Sequence, residues 1–115
     1  MGKINYIGVD LGGTSMRAGV VAPDGTLLAM EKRKTMPELG AAKVLERLVE
    51  TIERAAQAAD VPLKKIGGIG VGVPGPIDTE HGIVRVAVNL GKDWSNMPLA
   101  DRLEEALGRP AYIDN

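Results

Sequence analysis

A glycine-containing turn between two apolar runs near the N-terminus constrains this chain most. The turn, Asp10-Leu-Gly-Gly-Thr14, lies between residues 4–9 and residues 18–21. Both runs are rich in β-branched side chains, which predicts two buried strands joined by a tight connection. Because Gly12 and Gly13 have no Cβ, the backbone there can take positive φ, and its amides can approach a ligand closely.

Two interpretations of this turn remain open from the residues alone. In the first, backbone N–H groups and the Thr14 hydroxyl donate to phosphate oxygens, and Asp10 holds Mg²⁺ directly or through water. This interpretation predicts a Mg-ATP site formed by Asp10, Gly12, Gly13 and Thr14. In the second, the turn is a plain β-hairpin in which the glycines supply only turn geometry, and Asp10 and Thr14 cap it.

The rest of the chain predicts an α/β domain. Pro23-Asp24-Gly25 is typical of a turn that leads into a third strand, whose charged end suits a sheet edge. Apolar residues at steps of three or four predict helices, and β-branched runs predict further strands. We expect helices at 38–60 and 97–107, strands at 26–34, 66–73 and 110–113, and a short strand or extended segment at 82–88. This order predicts a mixed sheet with helices packed on it.

The strand at 66–73 carries glycine at alternate positions, so one of its faces is nearly bare. A helix or a ligand can approach such a face closely. The segment Gly70–Gly75 also matches the dinucleotide pattern G-x-G-x-x-G. That pattern must open a helix, whereas Pro74 and Pro76 break the chain here, so we reject a dinucleotide site.

Two side chains elsewhere have plain structural interpretations. Trp94 is the single tryptophan, and we expect it to be a packing anchor. Glu50 and Arg54 are placed to form an ion pair on the solvated face of the first helix.

Composition excludes several classes of protein. The 115 residues suffice for one small domain, carry a net charge of −1 and include no cysteine. A broad basic surface for nucleic acid and a thiolate metal site are therefore not expected. No apolar run approaches the roughly 20 residues that span a bilayer. We expect a cytoplasmic protein without nucleic-acid or membrane partners.

Five stretches resemble the ROK family of sugar kinases and repressors, which has the actin-like, ribonuclease H-like ATPase fold. The first is the turn at Asp10–Thr14 with Arg17-Ala-Gly behind it. The others are Gly70-Val-Gly-Val-Pro-Gly-Pro-Ile-Asp78, Val88-Asn89-Leu90, Trp94 to Leu99, and Pro110-Ala-Tyr-Ile-Asp-Asn115. Ser15 departs from the family's common lysine, so it is assigned no phosphate contact. Val88 stands where many members have proline.

The resemblance implies a sugar site beside the phosphate turn. By position, Gly75, Asn89 and Asn115 are the substrate-binding candidates. An amide offers both a donor and an acceptor, which suits the neighbouring hydroxyls of a sugar. For Asn89 the alternative is an ordinary turn asparagine.

The resemblance also implies that the catalytic base lies outside this sequence. Asp114 matches the position before the family's Asp-Ala-Asn or Asp-Gly-Asn segment, whose aspartate takes the proton from the sugar hydroxyl. We therefore expect residues 1–115 to be the N-terminal lobe, truncated just before that aspartate, with no catalytic residue and no activity alone. A structural zinc site would lie beyond Asn115. His81 does not replace the missing groups, and we expect it to be a surface residue.

The expected function is ATP-dependent phosphorylation of a hexose, with glucose converted to glucose 6-phosphate by a homo-oligomeric enzyme that uses ATP and Mg²⁺. Other kinases of the family act on fructose, N-acetylmannosamine or N-acetylglucosamine, and the sequence does not separate these. A sugar-sensing transcriptional repressor is an alternative of another class, although the chain starts without a basic recognition helix. A non-catalytic interaction module is a third.

Overall fold

The structure, a computed structural model, describes residues 4–91 and 93–115. A mixed five-stranded sheet forms the centre of this part of the chain. The strands are β1 (Asn5–Leu11), β2 (Ser15–Val21), β3 (Leu27–Lys34), β4 (Ile66–Gly72), β5 (Ile77–Asp78), β6 (Ile83–Val84) and β7 (Ala111–Asp114). The main sheet has the order β3-β2-β1-β4-β7. Its first three strands are antiparallel, whereas β4 runs parallel to both β1 and β7.

Two helices, α1 (Ala41–Ala58) and α2 (Leu99–Leu107), cover one face of this sheet within the described residues. Helix α1 packs on β2 and β3, α2 packs on β7, and the helices touch each other. Alternate residues of β1 are buried, namely Ile7, Val9 and Leu11, because successive side chains of a strand point to opposite faces. The predicted mixed sheet with helices packed on it is confirmed.

The opposite face of the sheet is open among the described residues and carries charge at one end. The pairing of the strands aligns five residues in one row across this open face, in the order Lys32, Arg17, Asp10, Gly72 and Asp114. This row lies at the carboxyl ends of the parallel strands β1, β4 and β7. Ligands of open α/β sheets bind outside such strand ends.

The alternating glycines of β4 lie on this open face, as expected. A Cβ added to Gly70 would meet no described atom within 4 Å. The intervening Ile69 and Val71 are buried in the core. Strand β4 therefore contributes core side chains on one face, and on the other face its backbone can be approached closely.

The short strand or extended segment expected at 82–88 contains a strand of two residues. Only Ile83–Val84 is a strand, and it pairs with Ile77–Asp78 outside the main sheet. Gly82 has φ +68°, and the N–H groups of Arg85 and Val86 both lie near the Pro76 carbonyl at 2.9 and 3.4 Å. Val84 also forms an antiparallel bridge with Met97, so the chain here pairs with two short segments and not with a strand of the main sheet.

The first helix begins at Ala41, three residues later than expected. Gly40 has φ +95°, outside the helical region, and Pro37–Leu39 forms a separate 3₁₀ turn. Glu50 pairs with Arg33 of β3 at 3.3 Å, in place of the expected Arg54 partner. This pair joins α1 to the sheet.

Several local predictions are confirmed. Gly25 has φ +92° in the turn before β3, where the Thr26 N–H donates to the Asp24 carboxylate at 2.9 Å. That hydrogen bond lowers the pKa of Asp24 below its ordinary value. Trp94 is fully buried, and β3 is an edge strand. Among the described residues, no helix is both long and apolar enough to cross a bilayer.

Candidate functional site

Residues 12–14 form the tight connection between β1 and β2 that the sequence singles out, and we call it the phosphate turn after its predicted role. The Gly12 N–H donates to the Ser15 carbonyl at 3.0 Å, which closes the turn. Neither Gly12 nor Gly13 has positive φ, so the turn does not use this conformational freedom of glycine. Their role is to leave space.

Gly13 lies directly against Asn89. A Cβ added to Gly13 would lie 2.7 Å from the Asn89 Cβ and 2.8 Å from the Asn89 carbonyl oxygen. Carbon atoms in contact normally stay about 3.5 Å or more apart. Glycine at position 13 therefore allows the phosphate turn to touch the segment at Val88–Leu90, which is a 3₁₀ turn.

Thr35 holds the other side of the phosphate turn. Its N–H donates to the Thr14 carbonyl at 2.9 Å, and its hydroxyl donates to the Gly12 carbonyl at 2.6 Å. Thr35 is fully buried. In the sequence it is only the residue that follows the charged end of β3, so no pattern signals this contact.

Asp10 lies at the carboxyl end of β1, exposed on the open face of the sheet. It is opposite Arg17 on β2 and Gly72 on β4. No cluster of three or more His, Cys, Asp or Glu that would hold a metal is found in the described residues. A single carboxylate fits Mg²⁺ all the same, because that ion keeps several waters and takes its other ligands from phosphates.

Asn115 closes the loop that follows β4. Its Nδ2 donates to the carbonyls of Val73 at 3.2 Å and Gly75 at 2.6 Å. Both amide protons are thus used within the protein, and Oδ1 is left as an acceptor. Gly75 has φ +90°, and a Cβ there would collide with the Val86 carbonyl.

Three residues that follow Asn89 hold this part of the chain in place, namely Leu90, Asp93 and Trp94. Leu90 and Trp94 are fully buried, and Asp93 accepts a hydrogen bond from the Ala41 N–H at 2.7 Å. A carboxylate at the first turn of a helix is favourable, because the unpaired N–H groups there carry partial positive charge. The Trp94 Nε1 is buried without a hydrogen-bond partner among the described residues.

One cleft of about 480 Å³ brings most of the candidates together. Asp10, Gly12, Gly13, Asn89 and Asn115 line it. Thr14 is exposed at the tip of the phosphate turn, and Gly75 meets the cleft only through its hydrogen bond from Asn115. The cleft offers a carboxylate, backbone amides and carboxamide groups, which suit a metal-bound phosphate and a polyhydroxylated ligand.

His81 lies away from this cleft, exposed as expected. Its Nδ1 is 2.9 Å from the Asp78 Oδ2, and the Arg85 guanidinium donates to the same oxygen at 3.1 Å. Hydrogen bonding from His81, with a smaller contribution from the Arg85 charge, lowers the pKa of Asp78. These contacts stabilise the β5–β6 hairpin.

Comparison with known proteins gives consistent matches. The sequence profile of the ROK family matches residues 6–115. A glucokinase of Thermotoga maritima is 40% identical over the whole chain, which corresponds to 34% of that protein. A xylose repressor of Caldicellulosiruptor bescii is 42% identical over 73 residues, 64% of this chain and 18% of the repressor.

The fold also matches that of a solved structure. A ROK family glucokinase from Streptomyces griseus, in complex with glucose and AMPPNP, superimposes with a TM-score of 0.82 at 32% identity. The match covers 96% of this chain and 33% of that one. The chain therefore spans about a third of the length of these two glucokinases.

Proposed function

This chain belongs to the ROK family, and from that premise we propose that residues 1–115 are the N-terminal lobe of an ATP-dependent hexose kinase. Glucose is the first substrate to test, with glucose 6-phosphate as its product. One observation carries the proposal: the cleft of about 480 Å³ is lined by both the phosphate turn and the asparagines assigned to the sugar.

The phosphate side of the cleft would bind ATP through backbone amides and the Thr14 hydroxyl. Gly12 and Gly13 have no side chain to separate the phosphates from those amides. Asp10 would hold Mg²⁺ directly or through water, and the cation would offset the negative charge of the phosphates.

The sugar side would bind hydroxyl groups. Asn89 is exposed at the cleft and offers both a donor and an acceptor. Asn115 offers only Oδ1, since its two protons are committed to Val73 and Gly75. Gly75 would shape this side through its backbone and through its contact with Asn115.

The general base that takes the proton from the sugar is not assigned to any residue of this chain. Asp114 would precede it. Residues 1–115 alone would therefore bind parts of both substrates and catalyse no transfer, because positioning without the base and the second lobe leaves the transfer incomplete. In the complete protein we expect a cytoplasmic homo-oligomer, with any structural zinc held by the second lobe.

A coupled assay of ATP consumption by the complete protein tests this function. Glucose, fructose, N-acetylmannosamine and N-acetylglucosamine would be compared, and glucose should give the highest kcat/KM. Asp10→Asn should lower kcat by about 100-fold, since loss of one preorganised charge costs on this order. Asp60→Asn, at an exposed position after α1 with φ +56° that asparagine tolerates, is the matched control.

A sugar-sensing repressor is the second candidate, and its support is the similarity of 73 residues to the xylose repressor. The same assay separates the two functions. A repressor would bind a sugar without consuming ATP, and Asp10→Asn would not change its sugar affinity. ATP consumption that depends on the sugar would exclude a purely regulatory role.

A further inference from the structure

Thr35 joins the end of β3 to the phosphate turn through both of its polar groups. Thr35 and Thr51 are the buried polar side chains among the described residues. The Thr35 hydroxyl donates to the Gly12 carbonyl at 2.6 Å, and its N–H donates to the Thr14 carbonyl at 2.9 Å. The adjacent Lys34 carbonyl accepts from Arg47 of α1 at 3.0 Å, which fixes this strand end to the helix.

These hydrogen bonds determine where the amides of the turn point. In a planar trans peptide the C=O and the following N–H point in opposite directions. A Gly12 carbonyl held by Thr35 therefore directs the Gly13 N–H away from Thr35. The two accepting carbonyls, those of Gly12 and Thr14, lie on either side of the Gly13–Thr14 peptide, whose N–H is that of Thr14. Within residues 4–91 and 93–115, the N–H groups of Gly13 and Thr14 donate to no protein acceptor.

We infer that Thr35 is a positioning residue for phosphoryl transfer, which orients the amides of Gly13 and Thr14 toward the phosphates of ATP. This inference rests on the proposed function, because it assigns those amides to a nucleotide. Thr35 itself is buried behind the turn and does not contact the nucleotide. It acts through the backbone of the phosphate turn, which is the part that contacts the nucleotide.

The hydroxyl of Thr35 is the group to remove. Thr35→Val keeps the shape of the side chain and leaves the Gly12 carbonyl without its hydrogen bond, so the turn gains freedom at its central peptides. Thr35→Ser keeps the hydroxyl and removes only a methyl group. The valine variant should therefore impair the turn, and the serine variant should restore it.

Thr51 provides a matched control inside the same chain. It is also fully buried, and its hydroxyl donates to the Arg47 carbonyl at 2.7 Å and to the Met16 Sδ at 3.3 Å. Thr51→Val removes a buried threonine hydroxyl that is hydrogen-bonded to a carbonyl but is not part of the turn. Any loss of stability from a buried hydroxyl should appear in both valine variants.

The experiment measures steady-state kinetics and ATP binding for the complete protein and the three variants. Thr35→Val should lower kcat/KM for ATP by about tenfold, which corresponds to one hydrogen bond left unmade. Its KM for the hexose should stay within about twofold of wild type, as should every kinetic constant of Thr35→Ser and Thr51→Val. Calorimetric titration with ATP should show the same loss of affinity in Thr35→Val alone.

Two results would overturn the inference: wild-type ATP kinetics and affinity in Thr35→Val, or an equal loss in Thr51→Val. Failure of the proposed function is distinguishable. If the complete protein binds ATP but phosphorylates no hexose, the titration still decides the role of Thr35, and weaker binding by Thr35→Val alone supports it. If wild type binds no ATP, both the inference and the proposed function are wrong.

Discussion

The phosphate turn and the residues that we propose for the sugar differ in how the chain brings them together. The phosphate turn follows directly on Asp10 in a single stretch and is closed by its own backbone and by Thr35. Asn89 and Asn115 come from distant segments, and Gly75 contributes only by accepting a hydrogen bond from Asn115. A site formed by one continuous stretch can be predicted from local residue types. A site formed by distant segments depends on how the chain folds to bring them together.

The two regions also differ in what stabilises them. Hydrogen bonds to main-chain atoms hold the turn, whereas the segment with Asn89 depends on the burial of Leu90 and Trp94 and on the Asp93 contact with α1. Changes in the core should therefore reach the sugar side mainly through packing. Changes at Gly13 should affect both sides, because that residue touches Asn89.

The largest effect is expected from Trp94→Ala. Removing a fully buried tryptophan costs about 3–5 kcal/mol of unfolding free energy. Urea unfolding of the 115-residue chain, followed by circular dichroism, measures it. Trp94→Phe should cost about half as much or less, because it keeps an aromatic ring and removes the unpartnered Nε1. An alanine variant within about 1 kcal/mol of wild type would contradict the anchoring role.

Gly13→Ala should give the next largest effect, a loss of about 100-fold in kcat/KM of the complete protein. The new Cβ would push the phosphate turn and Asn89 apart, so the kinetic constants for ATP and for the hexose should both worsen. Gly8→Ala is the control, since a Cβ there meets no described atom within 4 Å. A change confined to ATP would show that the two regions are independent.

Asp93→Ala should destabilise the chain by about 1 kcal/mol, the usual cost of a lost helix cap. The Ala41 N–H would lose its acceptor, and the segment with Asn89 would lose its tie to α1. Asp93→Asn keeps an acceptor oxygen and should recover most of the stability. Urea midpoints of the two variants decide this, and equal midpoints would exclude a capping role for the carboxylate.

The smallest effect concerns pH and the β5–β6 hairpin. Hydrogen bonds from His81 lower the pKa of Asp78 in the folded chain, so the unfolded chain binds more protons in acid. Asp78 therefore contributes stability above the ordinary aspartate pKa of about 3.9 and loses it as pH falls below that value. Asp78→Asn should flatten the dependence of the urea midpoint on pH in that range. An unchanged slope would show that the hairpin does not depend on this carboxylate.

Sequence patterns predict the strands, the helices and the candidate residues of the turn. They do not show the reason for Gly13, because the need for space arises from Asn89, 76 residues later in the chain. Thr35 is missed for a related reason: a single threonine after a charged strand has no distinctive pattern until the strand pairs with β2. Within 82–88 the strand is limited to Ile83–Val84, and the next two N–H groups donate to the Pro76 carbonyl, which the sequence pattern does not show.

The central claim is that the phosphate turn and the segment with Asn89 form one site, and a double-mutant cycle tests it most directly. The cycle combines Gly13→Ala with Asn89→Ala and measures kcat/KM of the complete protein. Gly13→Ala should already displace Asn89, so Asn89→Ala should cost at least about 0.5 kcal/mol less in that background than in wild type. Additive effects within about 0.3 kcal/mol would contradict the claim and leave two separate sites.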